Sequence, residues 1–156
     1  DDIFTAIRIA KQFDLDYVIV HCTEGHLISE ELCNENVRAL SGPFLCDRSK
    51  PELSQMTPKS PGIMSKAGIP VALITDHSVV PIQYLMLCAA IAVKEGMDRR
   101  EALRAVTINP ARILGLENRI GSLKAGKDAD LAIYSGDPFS VFTQVKCVII
   151  NGKRVR

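Results

Sequence analysis

Val71-Ala72-Leu73-Ile74-Thr75-Asp76-His77 is an apolar, β-branched run that ends abruptly in an acid and an imidazole. Such a run reads as a buried parallel strand. In a β/α barrel the C-terminal strand ends carry the chemistry, which sets Asp76 and His77 on that rim. Tyr17-Val18-Ile19-Val20-His21 has the same shape and again ends in a histidine. Two buried strands that deliver His21 and Asp76 to one face point to a metal site, because a divalent cation takes imidazole nitrogen and carboxylate oxygen together.

Helical patterns flank both strands. Residues 1–13 read as a helix with Ile3, Ile7 and Ala10 on one face and acids at its start. Cys22 to His26 is a loop, Leu27 to Asn36 a short helix, and Val37 to Gly42 a weaker strand stopped by Gly42-Pro43. Phe44 to Pro61 carries Pro51, Pro58 and Pro61 with little periodicity, a long loop of the kind that is usually functional. Gly62 to Ala67 is helical, with Gly68 after its end. Pro81 to Glu95 is a strong helix, stopped by Gly96. Asp98 is the N-cap of the next helix, with Glu101 in the capping-box position. Thr107-Ile108-Asn109-Pro110 reads as a break, followed by a helical turn to Leu114 closed by Gly115. From Ile120 the pattern changes to short strands with Gly turns. The expected division is therefore residues 1–118, alternating strand and helix, and residues 119–156, all β.

A chain of 156 residues is one domain of ordinary size, short of the ~250 residues of a complete barrel of eight β/α units. It opens on Asp1-Asp2, directly in a helical pattern, and reads as a piece of something longer. The formal net charge of +1 and the absence of long basic runs argue against a nucleic-acid partner. No apolar run reaches the length of a membrane span. Five cysteines, an odd number without a Cys-x-x-Cys pair, read as reduced thiols in a cytoplasmic protein rather than a disulfide framework or zinc ribbon.

Further motifs carry a resemblance. Val20-His21-Cys22-Thr23-Glu24-Gly25, Ser41-Gly42-Pro43, Thr75-Asp76-His77, Thr107 through Gly115 and Gly121 through Leu131 together resemble the C-terminal portion of the metal-dependent amidohydrolases, near the imidazolonepropionase and prolidase-like branch. The resemblance implies an α/β fold, the C-terminal part of a (β/α)8 TIM barrel of about three βα units (strands 6–8), followed by a small β-sandwich segment. It implies hydrolysis of an amide, cyclic amide or dipeptide C–N bond by a metal-activated water. His21 matches the sixth-strand ligand and Asp76 the eighth-strand ligand and catalytic carboxylate. The cofactor implied is a divalent metal, zinc by ligand type with iron or manganese as alternatives. The other ligands would come from a missing N-terminal half of the barrel.

Each candidate also has a plainer reading. Asp76 could cap the following helix, although Pro81 sets that start later. His77 neighbours Asp76 and, on a strand, would point the other way, packing or capping behind the site. Glu24, His26, Arg48 and His77 are the candidate substrate-binding residues, each with a solvated-loop or packing alternative. Lys50 shares the loop of Arg48, and Cys22 beside His21 invites a nucleophile reading that strand geometry disfavours. Gly126-Lys127-Asp128-Ala129-Asp130 reads as structural. The alternative to an enzyme piece is a non-catalytic folded module that self-associates, as a homodimer, through open sheet edges.

Overall fold

Three apolar segments lie side by side in one direction. Strand β1 (Ala39–Ser41) pairs in parallel with β2 (Val71–Leu73), with Ala39 opposite Val71 and Ser41 opposite Leu73. On the other side of β1, Ile19 makes a parallel bridge to Ala39, with Ile19 N donating to Arg38 O (3.0 Å) and Leu40 N to Ile19 O (2.9 Å). The order in space follows the order in sequence, with helix between successive segments, as parallel neighbours require. The computed structural model describes residues 2–156, so the Asp1 end of the first expected helix lies outside the described residues.

The strands are shorter than expected. Of Tyr17–His21, Ile19 alone joins the ladder, and Val20 beyond it is half exposed. The Val71–His77 run leaves the ladder early: Ile74 N still donates to Ser41 O (3.0 Å), but Pro43 on β1's continuation has no N–H to offer. Thr75 and Asp76 instead turn their carbonyls to Val80 N and Val79 N (3.1 and 2.7 Å). A strand is as long as its partner's donors and acceptors, and apolar composition alone does not report that.

The helices cover this layer. Helix α1 (Asp2–Gln12) buries Ile7 and Ala10, with Ile3 packed against the same cluster. The expected Leu27–Asn36 helix is divided into a 3₁₀ turn at Gly25–Leu27 and α2 (Ser29–Asn34), separated by Ile28 in a non-helical conformation. Helix α3 (Ser60–Lys66) starts two residues before the expected Gly62, with Pro61 in its first turn, where a missing N–H costs nothing. A 3₁₀ turn at Pro51–Leu53 interrupts the long loop. Another, Ile82–Tyr84, precedes α4 (Leu85–Lys94). Asp98 caps α5 (Arg99–Ala105), its Oδ1 accepting Arg100 N at 2.9 Å and Glu101 N at 3.0 Å, while Glu101 pairs forward with Arg104 rather than back to the cap. Helix α5 ends before Thr107 as expected, and α6 (Ile108–Ile113) starts two residues ahead of the expected Pro110, which is tolerated in its first turn. Ala89, Ala92, Ala102 and Ala105, all fully buried, let α4 and α5 approach closely over Leu73 and Phe44.

From Arg112 to Arg156 no residue is buried. This stretch forms one antiparallel sheet, β3 (Leu131–Tyr134), β4 (Val145–Ile150) and β5 (Lys153–Arg154), in that order. It docks on the helices at two points. Arg99 Nη2 lies 2.7 Å from Asp137 Oδ2 and its guanidinium 5.1 Å above the Phe139 ring. Gly121 packs on the start of α6. Lys127 donates to the carbonyls of Glu117 and Ile120, and Asp130 Oδ1 accepts Asn151 N at 2.8 Å, so the Gly126–Asp130 motif holds the tail together. Among the described residues, no helix is long and apolar enough to cross a membrane.

Candidate functional site

The C-terminal ends of the three parallel segments fall on one edge. The chain leaves the first at His21 (φ 67°) and Cys22 (φ 44°), and the third at Asp76 (φ 50°). Left-handed backbone costs a residue with a side chain about 1–2 kcal/mol. At both ends it turns the chain off the ladder at the residue that bears the donor group. One strand intervenes between them, so their backbones stand roughly 10 Å apart, a gap two side chains can close upon a shared ligand.

His21 is oriented. Its Nδ1 lies 2.8 Å from the carbonyl oxygen of Gly42, at the end of β1. A carbonyl can only accept, so Nδ1 carries the proton and the Nε2 lone pair is free. This is the usual state of a metal-ligating imidazole, with the second nitrogen tied to a carbonyl. Asp76 is exposed, and among the described residues its carboxylate has no hydrogen-bond or ion-pair partner. Its negative charge reaches the Cys46 thiol, which burial, then Asp47 and Asp76, push up. The two donors fit a divalent cation in kind. In number they fall short: among the described residues no three His, Cys, Asp or Glu side chains come together as a cation site.

Space opens on both sides of His21. A cavity of about 10 Å³, the size of one water, is walled by His21, Ser41, Gly42, Thr57 and Ser60, with the Ser60 hydroxyl buried and unpartnered among the described residues. A wide groove of about 580 Å³ runs along His21 past Ile19, Val20 and Leu27, with carboxylates from Glu24 and Glu52 on its walls.

The remaining expected residues are distributed differently. Glu24 is exposed and lines the groove beside His21. His26, Arg48, Asp76 and His77 line neither space. His26 is half-buried, its Nδ1 without a partner among the described residues. Arg48 is spent on its own loop, donating to Met56 O (2.8 Å) and Ser54 O (3.4 Å), while Lys50 is exposed. His77 Nδ1 accepts the amide of Ile82 at 3.3 Å and so caps the 3₁₀ turn that leads into α4. Cys22 is buried, and burial pushes its thiol up to about 11, which keeps it protonated and poorly nucleophilic at neutral pH. Gly42 and Glu52 were not singled out from sequence as parts of the site. Gly42-Pro43 was legible as a strand stop, and nothing in Pro51-Glu52-Leu53 announces a groove wall.

Known proteins share this fold. The solved structure of an amidohydrolase from Thermotoga maritima superposes with a TM-score of 0.96 at 43% identity, over 100% of this chain and 41% of that one. Imidazolonepropionase of Thermoplasma acidophilum is 44% identical over 70 residues, 44% of this chain and 17% of that enzyme. An amidohydrolase of Hapsidospora irregularis is 33% identical over 96 residues, 62% of this chain and 10% of that protein. The chain thus spans well under half the length of these relatives, and its mixed α/β structure is a segment of a TIM-barrel family. The amidohydrolase family model matches residues 5–155, so the chain belongs to the amidohydrolase family.

Proposed function

We propose that these residues are the C-terminal part of a cytosolic, metal-dependent amidohydrolase that hydrolyses the C–N bond of a small amide, cyclic amide or dipeptide. In this reading the three parallel segments are barrel strands 6 to 8, residues 1–118 belong to the barrel, and residues 119–156 belong to a β-sandwich. The observation that carries it is the pairing of donors on one strand-end edge: His21 with Nδ1 engaged by Gly42 and Nε2 free, and Asp76 with a free carboxylate. Zinc is the cation that this donor set favours, with iron or manganese as alternatives. Zinc and carboxylate sites take four or five ligands, so the reading draws the others from polypeptide beyond these residues.

When bound, the cation supplies water activation and polarisation of the scissile carbonyl. The protein supplies the rest. His21 would hold the cation through Nε2 and Asp76 through its carboxylate. The Asp76 carboxylate would also take the proton of the attacking water and deliver it to the leaving nitrogen. Glu24, on the groove wall beside His21, faces substrate. Arg48 and His77 shape the surrounding loops through the bonds described above.

The test is Asp76→Asn in the full-length enzyme, assayed on a cyclic amide and a dipeptide. The expected outcome is a fall in kcat of roughly 10²–10⁴-fold at saturating metal, with weaker metal affinity and thermal midpoint little changed. Turnover equal to wild type removes Asp76 from the chemistry. The isolated chain is expected to hydrolyse nothing. A second reading, a non-catalytic module that self-associates, is favoured by one observation, the sheet of residues 131–154 with no buried residue.

A further inference from the structure

The end of β1 touches both flanking segments through a single residue. Gly42 has φ +128°, a conformation L side chains rarely adopt. A Cβ built there would lie 2.3 Å from the carbonyl oxygen of Ile74, two residues before Asp76. Immediately upstream, Ile74 N donates to Ser41 O, so β1 and the Asp76 segment are locked together at that point. On the opposite side, the carbonyl of the same Gly42 takes the Nδ1 proton of His21. Glycine is therefore required twice over: for the backbone angle, and for the approach to Ile74 that leaves its carbonyl facing His21.

We propose that Gly42 is a positioning residue: it fixes the tautomer of His21, so that Nε2 is the free nitrogen, and it couples the His21 end of the sheet to the Asp76 end. The inference rests on the reading of His21 as a ligand, and it adds that the ligand's orientation is set by a backbone carbonyl on the segment that lies between His21 and Asp76. A side chain at position 42 would push β1 away from Ile74 and carry the carbonyl away from His21. The ring would then lose its preference for Nδ1–H, and the two donors would no longer move as one unit.

The experiment is nitrogen-15 NMR of full-length, metal-free protein labelled at histidine, in alkaline buffer. The His21 signals are identified by their loss in His21→Gln. Wild type is expected to show the proton on Nδ1. A His21 ring protonated on Nε2 overturns the proposal. In Gly42→Ala the His21 signals are expected to shift toward a mixture of tautomers while the other histidines stay in place, and unchanged His21 signals also overturn it. Should Gly42→Ala not fold, the pair His21→Asn and His21→Gln decides. The asparagine amide reaches the position of Nδ1 and keeps a donor for Gly42, so its thermal midpoint should fall less than that of the glutamine variant. An equal or larger fall for asparagine counts against the role of Gly42. Cobalt added to wild type separates this inference from the metal reading. Nδ1–H with no perturbation of Nε2 sinks the metal site and leaves the positioning role standing.

Discussion

At Gly121 the backbone runs in a left-handed conformation (φ 82°), and an added Cβ would sit 2.8 Å from Ala111 Cβ and 2.9 Å from Thr107 O. These contacts lie on α6 and its N-cap residue, so one packing event links the motifs Thr107–Gly115 and Gly121–Leu131. Nearby, Asn109 is buried and its Nδ2 donates to Val71 O at 2.9 Å, pinning α6 to the strand that leads to Asp76. Gly126 provides a control, because it also has positive φ (89°) but a Cβ there meets nothing within 4 Å. Gly121→Ala should therefore destabilise by roughly 2–4 kcal/mol, and Gly126→Ala by about 1 kcal/mol from backbone strain alone. Urea midpoints for the two variants check this, and equal shifts would mean that the α6 contact contributes nothing. At this scale His21 and Asp76 were legible in the sequence because an imidazole and a carboxylate directly follow apolar runs. Gly42 was not legible as their link, because its two contacts lie 21 and 32 positions away along the chain.

Helix α5 shows how an element joins the two halves of the chain. Its N-cap was legible at Asp98 because capping is local, an oxygen reaching amides two and three residues on. Its tertiary role was not: Arg99, the first helical residue, pairs with Asp137 and stacks on Phe139, both in the tail. Strand lengths escaped for the same reason, since they depend on a partner's donors and acceptors. The Asp137 carboxyl is held below its ordinary value of 3.8, first by the Arg99 hydrogen bond and then by the Phe139 amide. A carboxyl depressed in the folded state contributes stability that is fully present above its unfolded pKa and lost as pH falls through the folded one. Docking of the tail on α5 should hold from neutral pH down to about 4 and weaken below that. Both side chains are about half exposed, so salt should weaken it as well. Hydrogen exchange of β3 and β4 as a function of pH reads this directly. Arg99→Ala should show at neutral pH the faster exchange that wild type shows only in acid. The same protection in both proteins would leave the pair without a role in docking.

On the scale of the whole molecule, the accessible surface is 9851 Å², against roughly 7,750 Å² expected for a globular monomer of this mass. The surplus, about 2,000 Å² on one chain, is more than twice the roughly 800 Å² that each partner buries in a standard protein interface. It is concentrated where neighbours are lacking. Val20 and Leu27 are exposed along the groove beside the first parallel segment, and Leu123, Val141 and Phe142 are 74–92% exposed in the tail. Two sheets of two and three strands cannot cover these side chains, and among the described residues the first segment leaves its outer backbone unpaired. In the proposed enzyme, polypeptide beyond these residues covers that surface. In the isolated chain a second copy is the available cover, and open strand edges favour pairing. Light scattering after size exclusion should therefore report a mass above the 17.1 kDa of one chain. Phe142→Ser with Leu123→Ser should lower that mass. Neither substitution should lower the thermal midpoint by more than about 0.5 kcal/mol equivalent, because neither side chain is packed within one chain. A monomer that persists across a hundredfold concentration range would show that the chain tolerates this exposed surface. The self-association reading would then fall, and the case for a segment completed by further polypeptide would rest on the site and on the greater length of the relatives.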